Sequence, residues 1–166
     1  MAPLPRVRVQ TEDFGVSAEL ASLRAVDPGI GAVAAFVGTV RDREGGSAVQ
    51  QVVAMELEHY PGMTERAIEQ MIDTAHARFD IRGARVIHRV GPLAPQDQIV
   101  LVAVASAHRG QAFQACEFLM DYLKTQAPFW KKETAPDGGA SWVDARVSDD
   151  AAAQRWGLPS GNAVAC

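Results

Sequence analysis

The sequence predicts an α+β fold in which most strands pair in antiparallel fashion. Three observations lead to this prediction. The chain has 166 residues, about the length of one domain. Two long segments repeat apolar residues at helical spacing, and several shorter segments are apolar or alternating, as strands are. These segments follow one another in the order β-α-β-β-α-β-β-α-β-β, without a linker that would divide the chain.

The first four predicted elements are three strands and one short helix. Arg6–Gln10 alternates charged and apolar residues, which is typical of a short strand. A helix is predicted over Val16–Ala25, because a Pro-Gly stop follows it. Ile30–Val40 has the Val, Ala and Phe content of a buried strand, and Val49–His59 alternates like a strand. We expect these last two segments to form a long hairpin.

The middle of the chain begins with the clearest helix. Thr64–Phe79 follows Met63 and carries one apolar stripe at helical spacing. Arg85–Val90 is predicted to be a strand, and the turn-rich segment Gly91–Asp97 connects it to the next one. Ile99–Ser106 is entirely apolar apart from its last residue, so we expect it to lie centrally in a sheet.

The last predicted elements are one helix and two short strands. The helix covers Gln111–Thr125, and Pro128 prevents its continuation. Phe129–Glu133 and Ser141–Arg146 are predicted strands on either side of a turn. Residues 1–156 are expected to form a single domain, and residues 157–166 a flexible tail.

The composition is that of an ordinary globular protein, with 48% hydrophobic and 22% charged residues. The net charge of −4 argues against a general nucleic-acid-binding surface. No apolar run is long enough to span a bilayer and no signal-peptide pattern is present, so we expect a cytoplasmic protein. Of the 16 basic residues only three are lysines, and these lie within nine residues of one another.

Basic residues follow two of the predicted buried strands. His108 and Arg109 stand between a strand and the N-terminus of a helix, where backbone N–H groups attract anions. The alternative is that His108 caps the helix and Arg109 is a surface residue. Arg41 leaves the other strand at a Gly-rich loop, where it could contact an anion or simply be solvated.

The three lysines are Lys124, Lys131 and Lys132. Lys124 lies in the last turn of a predicted helix, where a cation also complements the helix dipole. Lys131 and Lys132 point to opposite faces if their segment is extended, so at most one of them shares a pocket with Lys124. Lysine provides a compact, titratable amine that arginine does not, which suits proton transfer or an anion contact. Chance clustering is the alternative.

Other reactive side chains give weaker signals. Glu56, Glu58 and His59 are split between strand faces and lack the spacing of a metal site. Cys116 falls on the apolar face of a helix, so we expect a buried structural thiol. The sequence contains no P-loop, no G-x-G-x-x-G and no G-x-S-x-G motif.

Five segments together resemble one family, the large, catalytic subunits of molybdopterin synthase. The likeness covers nearly all of Arg6–Trp156 in the same order, and the stretch Y-L-K-T-x-A-P-F-W-K is the most specific part. The five segments are Phe36–Asp42, Met55–Ala67, Val86–Gly91, Ser106–Phe113 and Met120–Glu133.

The resemblance implies a fold, an activity and partners. The fold is an α/β-hammerhead-like domain with an additional antiparallel β subdomain. The activity is the transfer of two sulfurs to cyclic pyranopterin monophosphate, without a cofactor or metal. The sulfur comes from the C-terminal Gly-Gly thiocarboxylate of a small ubiquitin-like subunit. Two large subunits form a homodimer and bind two small subunits, which gives a heterotetramer.

The resemblance also implies which residues act. Lys124 and Lys131 match the positions expected to be catalytic. The positions expected to contact the substrate are Thr39, Val40, Arg41, His108, Arg109, Lys124, Lys131, Lys132 and Glu133. Two other classes of function compete with this interpretation. One is a noncatalytic module that binds an anionic ligand or a partner's tail, and the other is a weak nucleic-acid binder that uses Trp130.

Overall fold

The computed structural model describes residues 4–44, 50–143 and 147–158 of the chain. The strands are β1 (Val7–Gln10), β2 (Ala32–Thr39), β3 (Arg43–Glu44), β4 (Gln50–Gln51), β5 (Ala54–His59), β6 (Gly83–Arg89), β7 (Gly91–Leu93), β8 (Gln98–Ser106), β9 (Phe129–Thr134) and β10 (Ala140–Val143). The helices are α1 (Val16–Arg24), α2 (Met63–Arg78), α3 (Arg109–Gln126) and α4 (Val147–Arg155). The predicted α+β fold class is confirmed.

The larger sheet has the strand order β1-β6-β8-β2. β1 pairs with β6 in parallel, and the other two pairings are antiparallel. Helices α2 and α3 cover one face and bury residues such as Ile68, Phe118 and Val102. Helix α1 covers the other face, against Ile87 and Leu101. β8 is therefore covered on both faces, which explains its continuous apolar sequence and confirms its predicted central position.

The smaller sheet has the order β10-β9-β5-β7 and is antiparallel throughout. Its inner face packs against one end of the larger sheet. The apolar cluster between the two sheets consists of Val40, Met55, Leu57, Val90 and Leu93. On β5 the buried residues alternate with the exposed Glu56 and Glu58, as a half-buried strand requires. This sheet is the additional antiparallel subdomain that the resemblance implies.

The predicted long hairpin between Ile30–Val40 and Val49–His59 is wrong. β2 pairs with β8 in the larger sheet, whereas β5 pairs with β7 and β9 in the smaller one. Between them, β3 and β4 form a ladder of only two residue pairs. Alternation identifies a strand but not its partner, because contacts with residues distant in sequence decide the pairing.

Besides the two-residue β3, two elements were not predicted from the sequence. β7 is only three residues long and contains Gly91 and Pro92, which are turn residues by composition. α4 has little apolar periodicity, and it packs mainly on α3. The predicted strand Ser141–Arg146 is observed as β10, and its residues 144–146 lie outside the described part of the chain.

The last described residue, Leu158, lies against the core. Leu158 is buried, and its N–H donates to the carbonyl of Ala153 at 3.2 Å. The rest of the predicted tail, residues 159–166, lies outside the described residues. Within residues 4–44, 50–143 and 147–158, no helix has both the length and the apolar character needed to cross a membrane.

Candidate active site

Three of the predicted site residues lie where β2 ends. β2 forms an edge of the larger sheet, and its ladder with β8 has a register shift between Gly38 and Thr39. A Cβ on Gly38 would lie 2.8 Å from Cγ1 of Val100, so the close approach of the strands requires glycine. Beyond the shift, Val40 is buried in the cluster between the sheets and Arg41 is exposed.

Arg41 borders an open cavity of about 600 Å³. The lining residues are Val40, Arg41, Asp42, Pro95 and Gln96. The N–H of Gln96 donates to the carbonyl of Val40 at 2.8 Å, and the N–H of Val40 donates to the carbonyl of Asp97 at 2.9 Å. These two bonds fix the backbone next to Arg41.

Lys124 lies at the same end of the larger sheet as Arg41. Helix α3 runs back along β8, since the Sγ of Cys116 in mid-helix donates to the carbonyl of Val102 in mid-strand at 3.6 Å. From Arg109 to Lys124 the helix rises about 22 Å. The last turn of α3, which contains Lys124, therefore lies at the end of the sheet where β2 ends.

The register of the smaller sheet separates the other two lysines. Lys131 lies opposite the buried Leu57, so it points to the inner face, towards the larger sheet. Lys132 lies opposite the exposed Glu56 on the outer face. Glu133 shares the inner face, and its Oε1 lies 2.9 Å from Nζ of Lys131. The expected placement of Lys131 and Lys132 on opposite faces is confirmed.

His108 and Arg109 lie at the other end of the molecule. β2 ends beside Gln98, whereas these two exposed residues follow Ser106. The eight steps along β8 between those ends span about 27 Å. Within one copy of the chain, His108 and Arg109 therefore lie far from the remaining predicted site residues. The remaining residues, on the Gln98 side, are Thr39, Val40, Arg41, Lys124, Lys131, Lys132 and Glu133.

The structure adds His88 and Phe129 to the same end of the larger sheet as Lys124. Their rings are stacked, with centroids 3.9 Å apart and an angle of 18° between planes. His59 lies on Phe129 as well, at a centroid distance of 6.4 Å. The only signal in the sequence is a histidine that follows the apolar pair Val86-Ile87 in β6, which alone does not distinguish a site from a core histidine.

His88 makes the stability of the fold sensitive to acid. Burial lowers the pKa of His88 to about 3, and the positive charge of Lys124 contributes to that shift. The unfolded chain protonates this imidazole near its ordinary pKa of 6.5, so the stabilising contribution is complete above pH 6.5. It is lost progressively as the pH falls from about 6.5 to about 3, by at most about 1.4 kcal/mol per pH unit. Urea unfolding as a function of pH should show this slope in the wild type and a shallower one in His88→Phe; equal slopes would contradict the assignment.

Cys116 is a buried thiol, as predicted, and burial raises its pKa to about 11. It is therefore protonated at physiological pH and does not provide a nucleophile. Among the described residues, no group of three or more His, Cys, Asp or Glu side chains is arranged to hold a metal ion.

Comparison with known proteins identifies the family to which the chain belongs. The sequence model of the MoaE protein family matches residues 9–126. A curated relative from Ralstonia nicotianae, named molybdopterin synthase catalytic subunit, is 61% identical over 162 residues, which cover 98% of this chain and 90% of the relative. The MoaE protein structure from Burkholderia ambifaria has a TM-score of 0.79 and 57% identity, and covers 94% of this chain and 100% of that one. The molybdopterin synthase structure from Staphylococcus aureus has a TM-score of 0.77 and 28% identity, with 85% and 98% covered. The chain therefore belongs to the MoaE protein family.

Proposed function

We propose that this chain is the catalytic subunit of a molybdopterin synthase and acts in molybdenum cofactor biosynthesis. As a sulfurtransferase, it moves two sulfurs from a thiocarboxylated small ubiquitin-like subunit to cyclic pyranopterin monophosphate, which forms the molybdopterin dithiolene. The observation that carries this proposal is the placement of Arg41, Lys124 and Lys131 at one end of the fold, where Arg41 lines an open cavity. The name borne by the Ralstonia relative supports it.

The cations suit the charge of the substrate. Its cyclic phosphate is an anion, and the guanidinium of Arg41 can bind two of the phosphate oxygens at once. Thr39, Val40 and Glu133 belong to the same proposed set of substrate contacts. Lys132 belongs to the same proposed set, although the register of β9 turns it to the outer face.

The chemistry needs proton transfer more than a protein nucleophile. The thiocarboxylate sulfur attacks a substrate carbon, and a C–S bond forms as a C–O bond of that carbon breaks. The departing oxygen takes up a proton, while the sulfur remains attached to the acyl carbon of the small subunit. Water then cleaves that acyl–sulfur bond, which leaves a carboxylate on the small subunit and the sulfur on the substrate. A second thiocarboxylate repeats the step at the adjacent carbon. Lys124 and Lys131 supply and accept the protons.

A second copy of the chain completes the site. β2 is an exposed edge strand, with Phe36 41% and Val37 36% accessible, and Phe113 on the adjacent helix α3 is 64% accessible. An exposed apolar edge is a ready surface for pairing with an identical strand. Antiparallel pairing of β2 across a two-fold axis sets the Thr39 end of one copy beside the Ala32 end of its partner.

This pairing of the two β2 strands brings the two groups of predicted site residues together across the dimer. Because Ala32 pairs with Ser106, the Ala32 end of the partner's β2 lies next to the start of the partner's α3. His108 and Arg109 of the second copy thereby approach Arg41 and Lys124 of the first. The homodimer is accordingly the unit of catalysis, with two composite sites. One small subunit then binds at each site, and the complete enzyme is a heterotetramer.

The reaction class is tested by mass spectrometry of the precursor after incubation with this chain and a thiocarboxylated small subunit. We expect the product to contain two additional sulfurs, and the small subunit to be recovered as its carboxylate. Omission of either protein is the control and should leave the precursor unchanged. If the precursor binds but gains no sulfur in the complete mixture, the chain is a binding module and the proposed activity is wrong.

A further inference from the structure

The link between α3 and β9 is the shortest connection between the two proposed catalytic lysines. Lys124 stands in the last turn of α3 and Lys131 is the third residue of β9, so the link Ala127-Pro128 fixes the position of one relative to the other. The turn is closed locally by the N–H of Ala127, which donates to the carbonyl of Leu123 at 3.3 Å. The N–H of Phe129 donates to the carbonyl of Ala127 at 2.8 Å.

Thr64 ties this turn to another helix. It lies in the first turn of α2, is fully buried, and donates its hydroxyl hydrogen to the carbonyl of Pro128 at 3.1 Å. The same oxygen accepts a hydrogen bond from the N–H of Tyr60 at 3.1 Å. A threonine hydroxyl has one hydrogen to donate, so here it is used for the turn and not for the carbonyl one helical turn earlier.

The other side of the turn is held by ring stacking. His88 packs flat on Phe129, the residue that directly follows Pro128. Pro128 itself is buried, so its carbonyl has no free access to bulk water in place of the Thr64 hydroxyl. The turn is thus fixed by one hydroxyl from α2 and one ring from β6, neither of which the substrate chemistry uses.

We propose that Thr64 is a positioning residue for the reaction: its hydroxyl holds the Pro128 carbonyl and thereby sets the relative placement of Lys124 and Lys131. The proposal rests on the proposed roles of those two lysines. Thr64 does not line the cavity, and its hydroxyl acts through the turn. A loss of alignment of the order of 1 Å lowers a rate by up to about 100-fold, so a single hydroxyl is sufficient to matter.

The first test needs no turnover, because the chain contains only three lysines. Lysine labelled with ¹³C at Cε gives three NMR signals, and alanine or arginine substitution of each lysine assigns them. In Thr64→Val, which preserves shape and removes the hydroxyl, we expect the Lys124 and Lys131 signals to move and the Lys132 signal to stay. Unchanged Lys124 and Lys131 signals in folded Thr64→Val would overturn the proposal.

Thr74→Val is the matched control. Thr74 is on the same helix, and its hydroxyl donates to the carbonyl of Gln70 at 2.9 Å, far from the turn. This variant should leave all three signals unchanged. Thr64→Ser is the second variant, which keeps the hydroxyl and removes only the methyl group. It should preserve the wild-type signals and rate even if Thr64→Val does not fold; displaced signals in Thr64→Ser would show that packing, not the hydroxyl, is responsible.

The second test is kinetic. With the complete heterotetramer, Thr64→Val should lower kcat about tenfold or more and change KM for the precursor little, because Arg41, the proposed phosphate contact, is not part of this turn. A rise in KM alone, with kcat unchanged, contradicts a positioning role. If the wild type itself makes no dithiolene product, the proposed function is wrong, whereas the NMR comparison still decides whether Thr64 fixes the turn.

Discussion

Replacement of Lys124 by alanine is expected to lower the rate of dithiolene formation by about 10²- to 10⁴-fold, the usual contribution of a positioned general acid or base. Lys124 lies in the last turn of α3, at the end of the sheet where Arg41 follows β2. Its positive charge adds to the effect of burial in lowering the pKa of His88. Lys124→Arg should be nearly as damaging, because a guanidinium keeps the charge but does not exchange its proton at physiological pH. The measurement is product formation under single-turnover conditions with thiocarboxylated small subunit.

Lys132→Ala is the control for that experiment. Lys132 lies on the outer face of β9, opposite Glu56, so its loss should leave the rate much closer to that of the wild type. Binding of the small subunit should be measured for each variant, which separates a loss of chemistry from a loss of assembly. Near-normal product from Lys124→Ala with the partner still bound removes Lys124 from the mechanism. An equal loss in Lys132→Ala contradicts the assignment of faces.

Mixing two inactive variants is expected to restore activity if the site is shared between copies. Arg41→Ala damages one end of the chain, and Arg109→Ala damages the other end, about 27 Å away along β8. In a mixed dimer both defects fall in one composite site and the other site is intact. With random exchange of subunits, activity should recover to about one quarter of the wild-type value. The measurement is product formation after co-refolding or co-expression of the two variants.

The control for complementation is a pair of variants at the same end of one chain. Arg41→Ala mixed with Lys124→Ala leaves every site with one defect, so no recovery is expected. Recovery in this control pair, or none in the Arg41 and Arg109 pair, contradicts the composite site. Light scattering of the single variants confirms that the dimer persists, which keeps a failure of assembly distinct from a failure to complement.

The helices show how much local pattern can determine. The apolar stripe of Thr64–Phe79 predicts α2, observed as Met63–Arg78, and that of Gln111–Thr125 predicts α3, observed as Arg109–Gln126. Both patterns record burial of one helix face, which the sequence expresses directly. α4 was not predicted because most of its residues are small or polar. Its position in the fold depends on its packing against α3.

The site residues show the limit of the same reasoning. Residue type and local position marked Arg41 and the three lysines as candidates, and the family resemblance then singled out Lys124 and Lys131. Alternation along β9 was also enough to separate Lys131 from Lys132. His88 and Thr64 were not found, because one is a single histidine in a predicted strand and the other a single threonine in a predicted helix. Only their neighbours, Phe129 and the Pro128 carbonyl, give them a part in the site.

The sequence by itself determined the α+β class, the central strand β8, the two long helices and the family resemblance, because each depends on residues adjacent in the chain. The tertiary structure decided which strands pair and where the charges meet. It assigned β2 and β5 to different sheets, and it brought Lys124 back to Arg41 because α3 is about as long as β8. It also set His108 and Arg109 at the far end. Because β2 and β8 are antiparallel, their C-terminal residues lie at opposite ends of the sheet. Distances between chain segments follow from packing, which no local pattern encodes.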